Sequence, residues 1–167
     1  MLRPGNLAHV ARAAAFLAIA SASNAAPPEP PARFVATPVL TFQYDGPPAL
    51  HMPTAVAIGP GGDVYVTDGA LDRIVIFAPD GSLREEFQTV GEETLAQPIS
   101  LKFDRQGILW IADTGHGRVL ARNPDGSLAR VIRCPPAPDA RHSPDITDVA
   151  VNADGTRIWL ADNDNHR

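Results

Sequence analysis

Sliding the 167-residue sequence over itself by 45 positions superimposes two stretches, and this self-similarity restricts the fold more than any other property of the chain. Pro53 falls on Pro98, Gly62 on Gly107, Asp68 on Asp113 and Arg73 on Arg118, and Pro79-Asp80-Gly81-Ser82-Leu83 falls on Pro124-Asp125-Gly126-Ser127-Leu128. A third copy opens near Ile146 after one inserted residue: Asn152 answers Asp104, Gly155 answers Gly107, Asp162 answers Asp113 and Arg167 answers Arg118. A period of this size means one supersecondary unit per copy, too small to bury its apolar face alone and so stacked on its neighbours.

Each copy divides into short runs of β-branched and aromatic residues separated by turn residues, with almost no helical periodicity. In the first copy these runs are 55–58, 64–67, 73–77 and 82–87; in the second they are 99–103, 108–112, 118–122 and 127–132. Four antiparallel strands joined by tight turns make a blade, so the expected fold is all-β, a partial propeller of four-stranded blades. Period-2 alternation places Val56 and Ile58, Leu101 and Phe103, and Val149 and Val151 at equivalent positions, expected to be core. The Asp-Gly pairs at 80–81, 125–126 and 154–155 are expected turns with positive φ at glycine.

The segments Asp162-Asn163-Asp164-Asn165-His166-Arg167, Asp113-Thr114-Gly115-His116-Gly117-Arg118 and, more loosely, 68–73 resemble the signature of NHL repeats. The resemblance covers roughly residues 52–167 and implies a propeller, usually of six blades around a central channel. About two and a half blades are then present: 52–94, 95–143 and the start of a third at 144–167, with 33–51 read as a ring-closing outer strand (34–42) and loop. Six such units need about 270 residues, so the sequence is expected to be part of a longer or interrupted product, with an exposed blade edge that leaves Trp159 and Leu160 underpacked.

The N-terminal 25 residues combine Arg3 and Arg12, the short apolar run 13–20 and the small-residue pattern Ser23-Asn24-Ala25. This is the composition of a secretory signal peptide, with cleavage expected after Ala25 and a Pro/Ala-rich spacer at 26–32. The apolar run is too short for stable membrane insertion. Removing Arg3 and Arg12 takes the formal charge from −5 to −7. An acidic exported chain lacks the cationic stripe that nucleic acid requires. The lone Cys134 excludes an intrachain disulfide and reads as a small loop hydrophobe or an unpaired thiol.

The recurring pairs Asp68–Arg73, Asp113–Arg118 and Asp162–Arg167 flank the turn between second and third strands, and a group repeated in every blade reads as architecture, since a catalytic group is needed once per site. Four histidines, His51, His116, His142 and His166, fall in connections on one expected face and are the candidate loop-face residues. Imidazoles on one rim could bind zinc. The peptidylglycine amidating lyases, which resemble these repeats, place zinc histidines after the opening Pro; Thr54, Ile99 and Asp145 or Thr147 stand there instead. The lactonase-type propellers hold calcium with Glu, Asn and Asp, and Asp148 and 162–165 offer such oxygens. No nucleophile elbow or phosphate loop is present, so no catalytic, cofactor or metal residues are assigned. The expected function is a binding or scaffold module for a protein, peptide or carbohydrate on the loop face; the alternative is a metal-dependent lyase- or lactonase-like propeller enzyme whose site residues lie mostly in further blades.

Overall fold

The computed structural model describes residue 44, residues 48–136, residue 138 and residues 142–166. The readings of 1–25, 26–32 and 34–42, and of Arg167, fall outside the described residues.

The first repeat is a four-stranded antiparallel sheet in the order β1 (Pro53–Ile58), β2 (Val64–Asp68), β3 (Arg73–Phe77), β4 (Leu83–Phe87). A two-stranded hairpin follows, β5 (Thr89–Val90) and β6 (Glu93–Thr94), turned at Gly91 with φ +61°. The second repeat is again a four-stranded meander: β7 (Pro98–Phe103), β8 (Leu109–Asp113), β9 (Arg118–Arg122) and β10 (Leu128–Arg133). The third contributes β11 (Ile146–Val151) and β12 (Ile158–Asp162) as an antiparallel pair. The fold is an all-β partial propeller, as the repeat pattern requires.

The first pairing of every repeat breaks register at the same place, between Pro53 and Val56, between Pro98 and Ser100, and between Ile146 and Asp148. A bulge here adds a residue to the first strand and increases its twist. The Asp-Gly turns close as the sequence demands, with φ of +90° at Gly81, +89° at Gly126 and +69° at Gly155. In each, the preceding Asp accepts from the backbone N–H and hydroxyl two residues on, Ser82, Ser127 or Thr156. Those bonds hold the Asp80, Asp125 and Asp154 carboxyls below their ordinary pKa.

Two cores lie between blades. The first joins Ile74 of blade 1 to Leu101, Leu109, Ile111 and Leu120 of blade 2, with Val90 and Leu95 of the connection, and partly buried Ala57, Tyr65 and Phe103 pack against it. Tyr65 and Phe103 meet edge to face with centroids 4.9 Å apart, an arrangement that adds roughly 0.5–1.5 kcal/mol to area burial. The second core joins Trp110, Ala112, Val119 and Ala121 of blade 2 to Ile146 and Val149 of blade 3. Strands β8, β9 and β10 of blade 2 thus serve both cores, with Leu109 and Ile111 of β8 facing one way and Trp110 and Ala112 the other. Cys134, Leu160 and Val151 pack against the second core, so Leu160 is better covered than the edge argument expects.

Two expectations need correction. Val56 and Ile58 are not core: they are 49% and 52% exposed, although their equivalents Leu101 and Phe103 pack between blades. The alternation is intact, but they lie on the face of blade 1 that points away from blade 2. Sequence reading also missed the β5–β6 hairpin, whose two-residue strands are too short to show a period.

Candidate functional site

The ends of β2, β8 and β12 share one device. Each strand finishes in a buried aspartate, Asp68, Asp113 or Asp162, followed by a tight turn. Asp68 accepts from the backbone N–H groups of His51 and Met52 at 3.0 and 2.9 Å. Asp113 accepts from Ala96 at 2.6 Å, and Asp162 from Asp145 at 3.1 Å. All of these donors lie in the segment that enters the blade. The carboxylate therefore satisfies backbone donors just before the first strand, where no ladder partner exists.

The arginine that opens the third strand completes the clasp. Arg73 Nε donates to Asp68 at 3.1 Å, while Nη2 donates to the Pro48 carbonyl at 2.7 Å and Nη1 to Glu86 at 2.9 Å. Its guanidinium also stacks on the Tyr44 ring, 4.8 Å from the centroid. Arg118 repeats the pattern, donating to Asp113 at 2.7 Å, to the Thr94 carbonyl at 2.7 Å, and to Glu93. Burial alone would depress both guanidinium pKa values. The hydrogen bonds and charges of Asp68 and Asp113, aided by Glu86 and Glu93, outweigh it and raise them, so both stay cationic. Glu93 was invisible to repeat analysis because it lies in the hairpin between copies, and Tyr44 because it precedes them.

The structure separates the four candidate histidines. His51 contributes its backbone N–H to Asp68. His166 has φ +53° and occupies the left-handed turn position held by Asp72 at +52° and Gly117 at +58° in the other repeats. Its place is conformational. His116 falls three residues after Asp113, where the other copies carry Leu71 and Asn165. Asn165 donates to Asp162 from that position at 2.9 and 3.0 Å. His116 does something similar with an ionisable ring: Nδ1 lies 2.9 Å from Asp113 Oδ2, and the side chain is 40% exposed.

His116 and His142 line one open cleft of about 690 Å³. Its walls are the 114–117 turn of blade 2, Arg133 and Cys134 after β10, 142–145 before β11, and Asp164 in the third repeat. Gly117 closes the turn against the Pro144 carbonyl, where an added Cβ would lie 2.8 Å away. The cleft therefore presents two imidazoles, a guanidinium and two carboxylates, Asp145 and Asp164, at the loop end of two adjoining blades. Among the described residues, no group of three or more His, Cys, Asp or Glu side chains is arranged to hold a metal ion.

Stacked four-stranded antiparallel meanders, each feeding the next along one direction, define a β-propeller protein. The model of the family described as the lipoprotein LpqB β-propeller domain matches residues 40–164, and the chain belongs to that family. No curated protein matches it. Among solved structures it is similar to a catalytically inactive variant of virginiamycin B lyase from Staphylococcus aureus with quinupristin, at TM-score 0.52 and 17% identity over 66% of this chain and 34% of that one. It is also similar to a candidate 6-phosphogluconolactonase from Bacteroides uniformis, at TM-score 0.53 and 20% identity over 74% of this chain and 38% of that one. At these identities the likeness is one of fold. The chain spans about a third of the length of the solved structures it matches.

Proposed function

We propose that this chain forms part of an exported propeller of NHL-type repeats that acts as a binding module, taking a protein, peptide or carbohydrate on its loop face. The observation that carries this reading is the cleft between blades 2 and 3, where His116, Arg133, His142, Asp145 and Asp164 present donors and acceptors of both charges to solvent. Such a mixed, open, polar surface suits peptide backbone or sugar hydroxyls, which need several oriented hydrogen bonds. Export is supported by the N-terminal composition and by the family description, which names a lipoprotein. Among the described residues no helix is long and apolar enough to cross a membrane.

One observation favours a second reading, an enzyme: Asp113 fixes Nδ1 of His116, the way a carboxylate orients an imidazole for proton transfer. Both readings place the ligand at the same turn. Titrating isotopically labelled protein with a panel of peptides and oligosaccharides should shift the amide signals of residues 114–117 and 142–145 together. Shifts confined to other surfaces would contradict the binding reading. Consumption of a bound compound, lost in His116→Ala, would favour the enzyme.

A further inference from the structure

His116 differs from its repeat counterparts Leu71 and Asn165 in carrying a ring that can change charge, and the turn around it fixes which nitrogen holds the hydrogen. Nδ1 lies 2.9 Å from Oδ2 of Asp113, a buried carboxylate that can only accept. Nη2 of Arg118 is 3.3 Å from the same nitrogen, but it already donates to the Thr94 carbonyl at 2.7 Å, and Nε of Arg118 donates to Asp113. The shorter contact decides. Neutral His116 carries its hydrogen on Nδ1 and gives it to Asp113, which leaves Nε2, at the far edge of the ring, as an acceptor in the cleft that His116 lines.

Charge around the cleft points the same way. Asp145 and Asp164 line it with Arg133, while Asp113, Arg118 and Glu93 stand behind the 114–117 turn. Four carboxylates against two guanidiniums leave two negative charges uncompensated while His116 and His142 are neutral. Protonating both imidazoles cancels that excess and turns Nε2 of His116 from an acceptor into a donor. Cys134, the other titratable group on the walls, adds no positive charge in either of its states.

We propose, resting on the loop-face reading, that the group bound in this cleft is a primary ammonium donating to Nε2 of His116 and drawn by the carboxylates of Asp145 and Asp164, and that acid expels it. An ammonium only donates, so it cannot satisfy a protonated Nε2. A hydroxyl donates or accepts and would survive the change, and a carboxylate would gain from it. Walls built mainly from two turns offer no sheet edge or apolar groove along which to read an extended peptide. A peptide would therefore engage by its amino terminus, and an amino sugar offers the same group. The switch falls where imidazole ordinarily changes charge, between about pH 5 and 8.

The test is an amide-shift titration of the isotopically labelled full chain at about pH 7 and about pH 5. Two probe pairs are used, trialanine against its N-acetylated form and glucosamine against N-acetylglucosamine. The amine forms should move the signals of residues 114–117 and 142–145 at the higher pH and bind about tenfold more weakly at the lower, and the acetylated forms should do neither. Whichever amine binds more tightly identifies the source of the group. The double variant His116→Gln/His142→Gln should bind the amines more weakly at the higher pH and lose less than about twofold further in acid. With no probe added, long-range nitrogen–proton correlation should find neutral His116 protonated on Nδ1. Circular dichroism at both pH values verifies folding, and the wild-type and tautomer measurements decide the matter if the double variant fails that check. A neutral ring protonated on Nε2, acetylated probes that bind as well as the amines, wild-type binding that holds in acid, or a double variant that keeps the full acid loss would each overturn the proposal and leave the loop-face reading standing. Unmoved signals with all four probes would overturn it as well, and the wider panel of peptides and oligosaccharides decides separately whether the loop-face reading falls with it.

Discussion

Nε of Arg118 lies 2.7 Å from Oδ2 of Asp113, both side chains are buried, and Nη2 of the same guanidinium donates at 2.7 Å to the Thr94 carbonyl. One pair of residues thus joins the end of β8, the start of β9 and the hairpin that leads into the blade. The Asp68–Arg73 pair does the same with Pro48. Breaking a buried pair costs far more than its net contribution, because the remaining charge keeps its desolvation penalty and loses its partner. Asp113→Ala should destabilise the protein by about 3–5 kcal/mol in urea unfolding, and Arg118→Met by a comparable amount. The double variant Asp113→Ala/Arg118→Met should cost less than the two single effects combined, leaving a coupling of about 0.5–3 kcal/mol.

Glycine at 155 is required twice over. Its φ is +69°, and an added Cβ would lie 2.8 Å from Asp104 Oδ2, which already accepts from Trp110. Gly155→Ala should therefore cost about 1–3 kcal/mol, because both the strain and the displaced carboxylate act at the junction of blades 2 and 3. Gly61→Ala meets no atom within 4 Å and carries no positive φ, and it should be neutral or slightly stabilising in the same unfolding measurement.

The two tryptophans should respond differently to the same change. Trp110→Phe leaves Asp104 Oδ2 without its buried indole donor and should cost about 1–3 kcal/mol. Trp159→Phe at low protein concentration should stay within about 0.5 kcal/mol of wild type, since the side chain is largely in water.

Acid should loosen the three Asp-Gly turns in parallel. The folded-state pKa values of Asp80, Asp125 and Asp154 are depressed, chiefly by the hydroxyl and backbone donors of Ser82, Ser127 and Thr156. A depressed carboxylate contributes stability that is present above its unfolded value and is lost as pH falls through the folded value. The contribution of these turns should hold at neutral pH and disappear below the ordinary aspartate range of about 3.9. Asp125→Asn should flatten that part of the pH–stability curve, and an unchanged acid limb would contradict the assignment.

Much of this architecture was legible in the sequence because a period repeats every local signal. The Asp-Gly turns, the alternation in β7 and β8 and the ends of each strand were visible to within a residue or two. Exposure of Val56 and Ile58 was not, since alternation assigns a residue to a face and only the neighbouring blade decides whether that face is covered. Glu93 and Tyr44 close the clasps from segments outside the repeat, where no copy exists to align. The histidines looked equivalent as loop residues. Backbone geometry sorted them, because His166 sits where a left-handed residue is needed and His116 where the Asp-facing side chain belongs.

The Asp–Arg clasp recurs and serves architecture, whereas His116 occurs once and is the residue proposed to serve the cleft. Unfolding His116→Ala beside Asp113→Ala tests this distinction most directly. His116 is partly exposed and leaves the Asp113–Arg118 bond intact, so its replacement should cost under about 1 kcal/mol, against about 3–5 kcal/mol for Asp113→Ala. Equal losses from the two substitutions would contradict the distinction, making His116 a part of the clasp and removing it from the proposed ligand surface.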